Sequence, residues 1–469
     1  MNLSKPKISI ILPSYNVKPF IEECIESVIN QTLEDIEIIC VDAGSEDGTL
    51  EILEEYEKRD SRIKILNSNK KSYGYQMNLG IDFAKGEYIG IVETDDYVHE
   101  KMYETLYDLT NNGSTDISKV SFYHVHDYDE KNIKFIPNNS KINSPKHEFT
   151  IFDDVNIIHG HPSIWAAIYK RSFLKENNIS FMEAPGGGWV DNPFLFQTLL
   201  LAKKITFKNE HYYYYREFNP TSSTNLMKDL TLPMRRMLNN LDVLDNYSCN
   251  DKNIYSALYI HIFWHIHETL NKENYIIEKE KVDCYIRKVI NRLDEFIILN
   301  DFNLKDQEVY YQFLENSNFE STVNNFNLII KNIMDTGEFK KDISKVFNKK
   351  IRLIFLRYSN TKPEFRENFY NIIKEDFLKT FHHLLYEEFI LGLNTSNRFL
   401  FKSVIQSNSF EEFDLIFNNL ELKKENKKLT NKNKKLKNRI KKSKKLSKTI
   451  INSKSWKLTK PLRYIKRLI

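Results

Sequence analysis

From residue 7 to about 123 the chain alternates short apolar runs with segments whose apolar residues recur every three to four positions. Ile8-Ser9-Ile10-Ile11-Leu12 reads as a buried strand ending at Pro13, and Ile36-Glu37-Ile38-Ile39-Cys40-Val41 and Ile63-Lys64-Ile65-Leu66 as two more. Between them, Phe20 to Gln31 carries Phe20, Cys24 and Val28 at helical spacing, and Gly48 to Lys58 sets Leu50, Leu53 and Tyr56 on one side. A helix is predicted over Met77 to Ala84, stopped by Gly86. Then Glu87-Tyr88-Ile89-Gly90-Ile91-Val92 runs as a strand into Glu93-Thr94-Asp95-Asp96. Such alternation predicts an α/β domain with a largely parallel sheet covered on both faces.

The pattern changes twice more. Residues 124 to 225 are less regular. They hold the loop Pro185-Gly186-Gly187-Gly188-Trp189, an apolar helix from Asn192 to Ala202, and the aromatic stretch His211-Tyr212-Tyr213-Tyr214-Tyr215-Arg216. From about 228 to 400 the spacing is helical throughout. Beyond that, Leu422, Leu429 and Leu436 fall seven apart, with Asn426, Asn433 and Ile440 four residues after each. This is either a short coiled-coil seam over 420–440 that joins copies of the chain, or a single solvated basic helix. The expected division is therefore 1–225, an α/β domain; 226–410, an α-helical domain; and 411–469, a basic helical tail.

Charge sharpens the last boundary. The 469-residue chain has a net charge of only +4. Yet Lys423 to Arg467 holds 20 Lys and Arg against one acid, Glu425, which leaves 48 basic and 63 acidic residues elsewhere. An acidic body with a strongly basic tail predicts that the tail meets something anionic. In Ser455 to Ile469, Trp456 and Tyr464 alternate with Lys, Arg and aliphatics, which suits an anionic membrane surface better than nucleic acid. No run of eighteen apolar residues is present, so no membrane-spanning helix is expected. Met1 to Pro6 lacks a secretion-signal pattern, and Cys24, Cys40, Cys249 and Cys284 have no metal or redox spacing. These features predict a cytoplasmic protein attached peripherally to the inner membrane.

Three predicted strand ends carry the chemistry. Pro13-Ser14-Tyr15-Asn16 offers an aromatic ring for stacking on a flat heterocycle. Asp42-Ala43-Gly44-Ser45-Glu46-Asp47-Gly48-Thr49 offers Asp42 as an acceptor for a base N–H, with Gly44 and Ser45 allowing close backbone approach. Asp47 is also a good helix N-cap. Glu93-Thr94-Asp95-Asp96 sets three carboxylates at one strand end. In an open α/β sheet ligands bind at the carboxyl edge of the strands. Hard cations such as Mg²⁺ or Mn²⁺ are shared there between one or two carboxylates and substrate phosphates. Together the three ends predict a nucleotide-plus-metal cleft.

These segments, with Asn78-Leu79-Gly80-Ile81 and Ala84-Lys85-Gly86-Glu87-Tyr88-Ile89, resemble family-2 glycosyltransferases of GT-A fold over roughly the first 225 residues. The resemblance implies a Rossmann-like, mostly parallel nucleotide-diphospho-sugar transferase domain. It implies that Tyr15 stacks near the uracil or its ribose and that Asp42 binds the base. The donor site would then comprise Pro13, Ser14, Tyr15, Asp42, Gly44, Ser45, Asn78, Glu93, Thr94, Asp95 and Arg216. Asp95 would hold Mn²⁺ or Mg²⁺ as the metal-binding member of the D-x-D motif. Glu93 stands where the family usually has the first Asp, and Gln76-Met77 where it usually has Ala-Arg. Within Trp189-Val190-Asp191-Asn192-Pro193-Phe194, Asp191 takes the position of the catalytic base, with Val190 in place of the usual Glu. Asp191 also suits a helix start. Arg216 would meet the diphosphate or form a surface ion pair. His161, Trp165, Gly187 and Trp189 would shape the acceptor side, although a buried Trp at 165 would also suit a core.

The expected activity is metal-dependent, inverting transfer from a nucleotide-diphosphate sugar, a UDP-sugar by the resemblance. The acceptor would be a hydroxyl of a glycan or lipid-linked glycan in bacterial surface polysaccharide synthesis, capsule or lipopolysaccharide. Two other readings stay open: a sugar nucleotidylyltransferase, which wants a basic Gly-rich loop after the first strand, and a non-catalytic membrane- or nucleic-acid-binding scaffold built around the tail.

Overall fold

The computed structural model describes residues 5–127, 133–138, 142, 147–217, 229–315, 319–335, 341–383, 395–407 and 409–419, with residues 422, 430 and 437. It divides into two compact units, Met1–Glu315 and Asn316–Ile469. The expected boundary near 225 and nearly all of the basic tail, with the sequences that suggested a coiled coil and a membrane anchor, lie outside the described residues.

The first unit is built on one mixed sheet. Strands β1 (Ile8–Ser14), β2 (Ile36–Asp42), β3 (Ile63–Asn67) and β4 (Tyr88–Ile91) run parallel in the order β3-β2-β1-β4. Helices α1 (Lys18–Ile29), α2 (Thr49–Arg59) and α3 (Tyr73–Phe83) connect them. The sheet continues through four strands: β5 (Tyr97–Val98), β6 (Ile117–Asp127), β8 (Ala167–Lys170) and β9 (Ile205–Arg216), while β7 (Ile133–Pro137) pairs on β6. In this half, β8 opposes both β4 and β6, β6 runs with β9, and β5 opposes β9. Both faces of β1 are buried, as a continuous apolar run in a parallel sheet requires. Helix α1 lays Ile21, Cys24, Ile25 and Val28 inward, one stripe at 3.6-residue spacing.

Two elements exceed their expected bounds. Strand β1 passes Pro13 to reach Ser14. The ladder to β4 ends at Ile11 opposite Ile91. Beyond that point a missing N–H breaks no bond on that side, and the Pro13 carbonyl accepts from Thr94 Oγ1 at 2.8 Å. Helix α3 begins at Tyr73, not Met77, because the Ser72 side chain caps it. Gly74 argues against helix in the sequence, yet a Cβ there would lie 2.0 Å from the Met182 carbonyl. Only glycine lets that loop pack so close.

Six helices close the first unit: α4 (Met102–Asp108), α5 (Arg171–Glu176), α6 (Asp191–Leu201), α7 (Leu232–Asn246), α8 (Lys252–Asn271) and α9 (Lys279–Ile290), with the short α10 (Glu295–Asp301) and α11 (Leu304–Phe313) after them. Helix α7 packs on α6, α8 and α9. The first helices of the expected helical domain are thus continuous with the α/β domain. The second unit holds α12 (Phe319–Asp335), α13 (Lys341–Asn360), α14 (Pro363–His383) and α15 (Thr395–Gln406), packed around Phe355, Tyr358, Phe369 and Phe413. Lys350 and Asp376 form a buried ion pair of 2.6 Å inside it.

Candidate active site

Parallel register places the ends of the first strands side by side: Ser14 pairs with Asp42, and Asp42 with Asn67. The Gln76 amide ties these ends together, donating to the carbonyls of Ser14 at 2.9 Å and Val41 at 2.7 Å. Tyr15 projects from the edge, 41 % exposed, with the Lys71 ammonium 2.7 Å from its hydroxyl and 4.6 Å from its ring centre. Asp42 turns inward. Its Oδ2 accepts the N–H groups of Gly44 (2.8 Å) and Ser45 (2.9 Å), and its Oδ1 the Ser45 hydroxyl (2.5 Å). It therefore shapes the second strand end from within, and retains one lone-pair site, on Oδ1. Gly44 has φ +77°, with open space where a side chain would be.

The acidic junction is braced from three sides. Tyr73, on α3, donates its hydroxyl to Glu93 Oε1 at 2.6 Å. Tyr213, on β9, donates to Asp96 Oδ2 at 2.8 Å and accepts the Glu93 N–H at 3.1 Å. Arg216 gives its N–H to Asp96 Oδ1 (2.7 Å), its Nη1 to the Asp95 carbonyl (2.8 Å) and its Nη2 to Glu23 (2.6 Å). Its guanidinium also lies over the rings of Phe20 and Tyr97. Arg216 thus clamps the junction, and its contact with exposed Glu23 is the ion pair that the sequence set beside a diphosphate contact as an alternative. Asp96 is 1 % exposed, and burial with the charge of Asp95 pushes its carboxyl well up. Burial raises Glu93 to about 8 against the Tyr73 hydrogen bond, and the charges of Asp95 and Asp191 add to the rise.

That last effect brings the two halves of the site together. Asp191 opens α6 from the end of the glycine loop as its first helical residue, so the N-cap position falls to Val190, which makes no side-chain cap hydrogen bond. Its carboxyl is raised by burial, opposed by backbone N–H groups of the first helical turn and by Arg236 on α7. The loop before it is sewn to the start of α3: Gly186 N–H donates to the Lys71 carbonyl at 3.0 Å, and Tyr73 N–H to the Gly186 carbonyl at 3.1 Å. Trp189, with φ +53°, packs against His265 of α8 at 5.2 Å between ring centres.

The remaining expected residues separate. Asn78 is committed to the Phe181 backbone by two hydrogen bonds of 2.9 and 2.8 Å, so it tethers a loop. Trp165 is 4 % exposed and stacks on Tyr213 at 3.9 Å, a core position directly behind the ring that holds Asp96. His161 stays exposed at the rim, 4.9 Å from Tyr215, its Nδ1 accepting the Ser163 N–H. Gly187 is half-buried within the loop. Four residues with no individual role assigned from sequence serve the site, Lys71, Tyr73, Tyr213 and Arg236, and Gln76, noted only as a departure from the family pattern, is a fifth. The aromatic stretch at 211–216 was the one visible signal among them.

No group of three or more His, Cys, Asp or Glu converges among the described residues. A hard cation at half-buried Asp95 would take the rest of its oxygen shell from a diphosphate. This donor set fits such sharing.

The profile of Glycosyl transferase family 2 matches residues 9–177. The glycosyltransferase EpsJ of Bacillus subtilis is 36 % identical over 228 residues, covering 47 % of this chain and 64 % of EpsJ. The glycosyltransferase GlyG of Streptococcus pneumoniae is 34 % identical over 216 residues, 45 % of this chain and 70 % of GlyG. A cholesterol galactosyltransferase of Borreliella burgdorferi is 28 % identical over 315 residues, 64 % of this chain and 85 % of that protein. With a parallel half-sheet, an acidic junction after β4 and an aspartate opening α6, the chain belongs to glycosyltransferase family 2 and has the GT-A fold, extended by helices.

Proposed function

We propose that the protein is an inverting, metal-dependent transferase that moves a sugar from a UDP-sugar to a hydroxyl of a glycan or lipid-linked glycan in surface polysaccharide synthesis. The observation that carries this reading is Tyr73, which joins the two sides of the site: its hydroxyl donates to Glu93 at 2.6 Å, and its N–H donates at 3.1 Å to the Gly186 carbonyl of the loop that presents Asp191. One cleft thus has a donor wall and an acidic group that α6 presents from the other side. Family membership sets aside the nucleotidylyltransferase reading. The relatives' named acceptors include a sterol and a poly(ribitol phosphate), which supports a hydroxyl acceptor without choosing one.

In this scheme Tyr15 offers its exposed ring to the nucleobase, and open space at Gly44 admits the nucleotide. Asp191 takes the proton from the acceptor hydroxyl, whose oxygen bonds to the anomeric carbon as the carbon–phosphate-oxygen bond breaks and its electron pair leaves with the nucleoside diphosphate. Attack opposite the leaving group inverts the centre. A Mn²⁺ or Mg²⁺ bound by Asp95 would neutralise charge on the departing diphosphate. Arg216 keeps Asp95 in place by holding its carbonyl.

The test is a donor-hydrolysis and transfer screen with two variants. Asp191→Asn should lower kcat by about 10²–10⁴-fold, the range for a lost general base, with UDP binding nearly unchanged. Asp95→Ala should weaken metal-dependent UDP binding. Full turnover by Asp191→Asn would reject the base, and metal-dependent binding at full strength in Asp95→Ala would reject the metal ligand.

We further propose that the basic tail holds the enzyme at the anionic cytoplasmic face of the inner membrane and that residues 420–440 join copies of the chain. The tail's charge and its interleaved Trp456 and Tyr464 support the first idea, and the heptad leucines the second.

A further inference from the structure

We propose that Arg236 of α7 is a positioning residue for the Asp191 base: it fixes the glycine loop that presents Asp191 and acts on that carboxylate as a positive charge without a direct ion pair. The inference rests on the reading of Asp191 as base. It assigns a task in the site to a helix that lies beyond residue 225, outside the expected α/β domain.

The loop needs holding. Gly186, Gly188 and Trp189 all have φ between +53° and +67°, and at Trp189 that backbone is strained for a residue with a bulky side chain. One end of the loop is tied to α3 through Lys71 and Tyr73. The other is tied to α7. Arg236 is 5 % exposed, and its Nε donates to the Gly188 carbonyl at 2.6 Å. Its Nη1 reaches Asn239 Oδ1 at 3.1 Å and Met182 Sδ at 3.2 Å. A planar fork with five donors suits three acceptors in different directions, which a lysine could not satisfy at once.

Those three acceptors are all neutral. A buried guanidinium needs a compensating negative charge. Burial disfavours its charge and the neighbouring cation Arg235 adds to that; the acid that favours the charged form is Asp191. The relation is mutual, since Arg236 resists the upward push of burial on Asp191. The other groups facing Asp191 are Tyr73 from α3, Glu93 from the β4 end, and the backbone N–H groups of α6. His265 of α8 stands behind Trp189 and is held neutral by burial, at about 4.

Arg236→Met keeps the stem and removes both fork and charge, whereas Arg236→Lys keeps the charge alone. In the full chain without ligand, amide exchange at Gly186–Val190 should quicken at least about tenfold in Arg236→Met while the α6 interior is unchanged. With the UDP-sugar hydrolysed fastest among UDP-glucose, UDP-galactose and UDP-N-acetylglucosamine, kcat should fall about 10- to 100-fold, as for a base displaced by roughly an ångström. Donor KM should stay within about threefold, because Tyr15, Asp42 and Asp95 lie on other elements. The acid limb of the kcat–pH profile should move to higher pH in Arg236→Met and return in Arg236→Lys, which recovers part of kcat. Unchanged loop exchange, or an acid limb that is the same in all three proteins, would overturn the proposal. If Asp191→Asn retains full turnover, the base assignment itself fails; if Asp191→Asn is inactive and Arg236→Met is normal, only the present inference does.

Discussion

Gln76 occupies a position where a donor-facing pair, Ala-Arg, is usual in the family, and in sequence it reads as a loss. In the structure it is an anchor: 5 % exposed, with its amide spent on the last carbonyls of β1 and β2. Gln76→Leu would remove one hydrogen bond from each carbonyl, although that of Ser14 keeps the Ala43 N–H at 3.0 Å, and should destabilise the protein by about 1–3 kcal/mol, two bonds at about 0.5–1.5 kcal/mol each. Urea unfolding measures this directly, and a loss under about 0.5 kcal/mol would show that water replaces the amide. The same logic explains which site residues were legible. Tyr15 and Asp95 stand out in sequence because a polar or aromatic residue at a strand's carboxyl end has few structural uses, and the structure leaves Tyr15 exposed and Asp95 half-buried at those ends. Asp42, Asn78 and Arg216 have such uses, turn closure, loop tethering and carbonyl clamping, and sequence cannot tell these from ligand contact. Tyr73, Tyr213 and Arg236 were hidden for the opposite reason: each acts at a long sequence distance, and only the fold reveals its partner.

At the scale of elements, local pattern sufficed wherever apolar periodicity was pure, as in β1 to β3, α1 and α2. It failed at α3, whose start depends on Ser72 and on the close approach of Met182 to Gly74. It was also silent on β6, where a lysine interrupts an apolar strand. Lys119 is 6 % exposed, and its ammonium donates to the carbonyl and hydroxyl of Ser163, which has φ +36°. Burial without an acidic partner lowers its pKa to about 7. The folded-state value lies below the unfolded one, so the unfolded chain binds more protons between pH 7 and 10.5. Through this group, stability therefore rises as pH climbs across that window, and is lowest at and below neutrality. Lys119→Met should flatten the slope, so wild type should gain in melting temperature relative to the variant as pH rises from 7 toward 10. A difference that stays constant from pH 7 to 10 would mean the ammonium remains charged in the native strand.

For the whole molecule, the α/β domain was legible because strand, turn and helix signals agreed at each step. The extent of the catalytic unit was not legible. A run of helices after residue 228 looks like a new domain in sequence, yet α7 and α8 belong to the Met1–Glu315 unit and touch the glycine loop. Packing of a helix on a distant loop has no local signature. Charge asymmetry has one, and it yields the last prediction. Anionic vesicles attract juxtaposed Lys and Arg by about 1 kcal/mol each near the surface, and salt screens that attraction. With 20 such residues between Lys423 and Arg467 and an acidic body that anionic lipid repels, binding should reside in the tail. Full-length protein should sediment with phosphatidylglycerol-containing vesicles in 0.1 M salt and be released largely in 0.5 M salt. A chain ended near residue 420 should not sediment, and should keep its UDP binding because every named site residue precedes it. Equal sedimentation of the shortened chain would place the membrane contact, if any, on the body. Stronger retention of the full chain on duplex DNA than on the vesicles would assign the tail to nucleic acid instead.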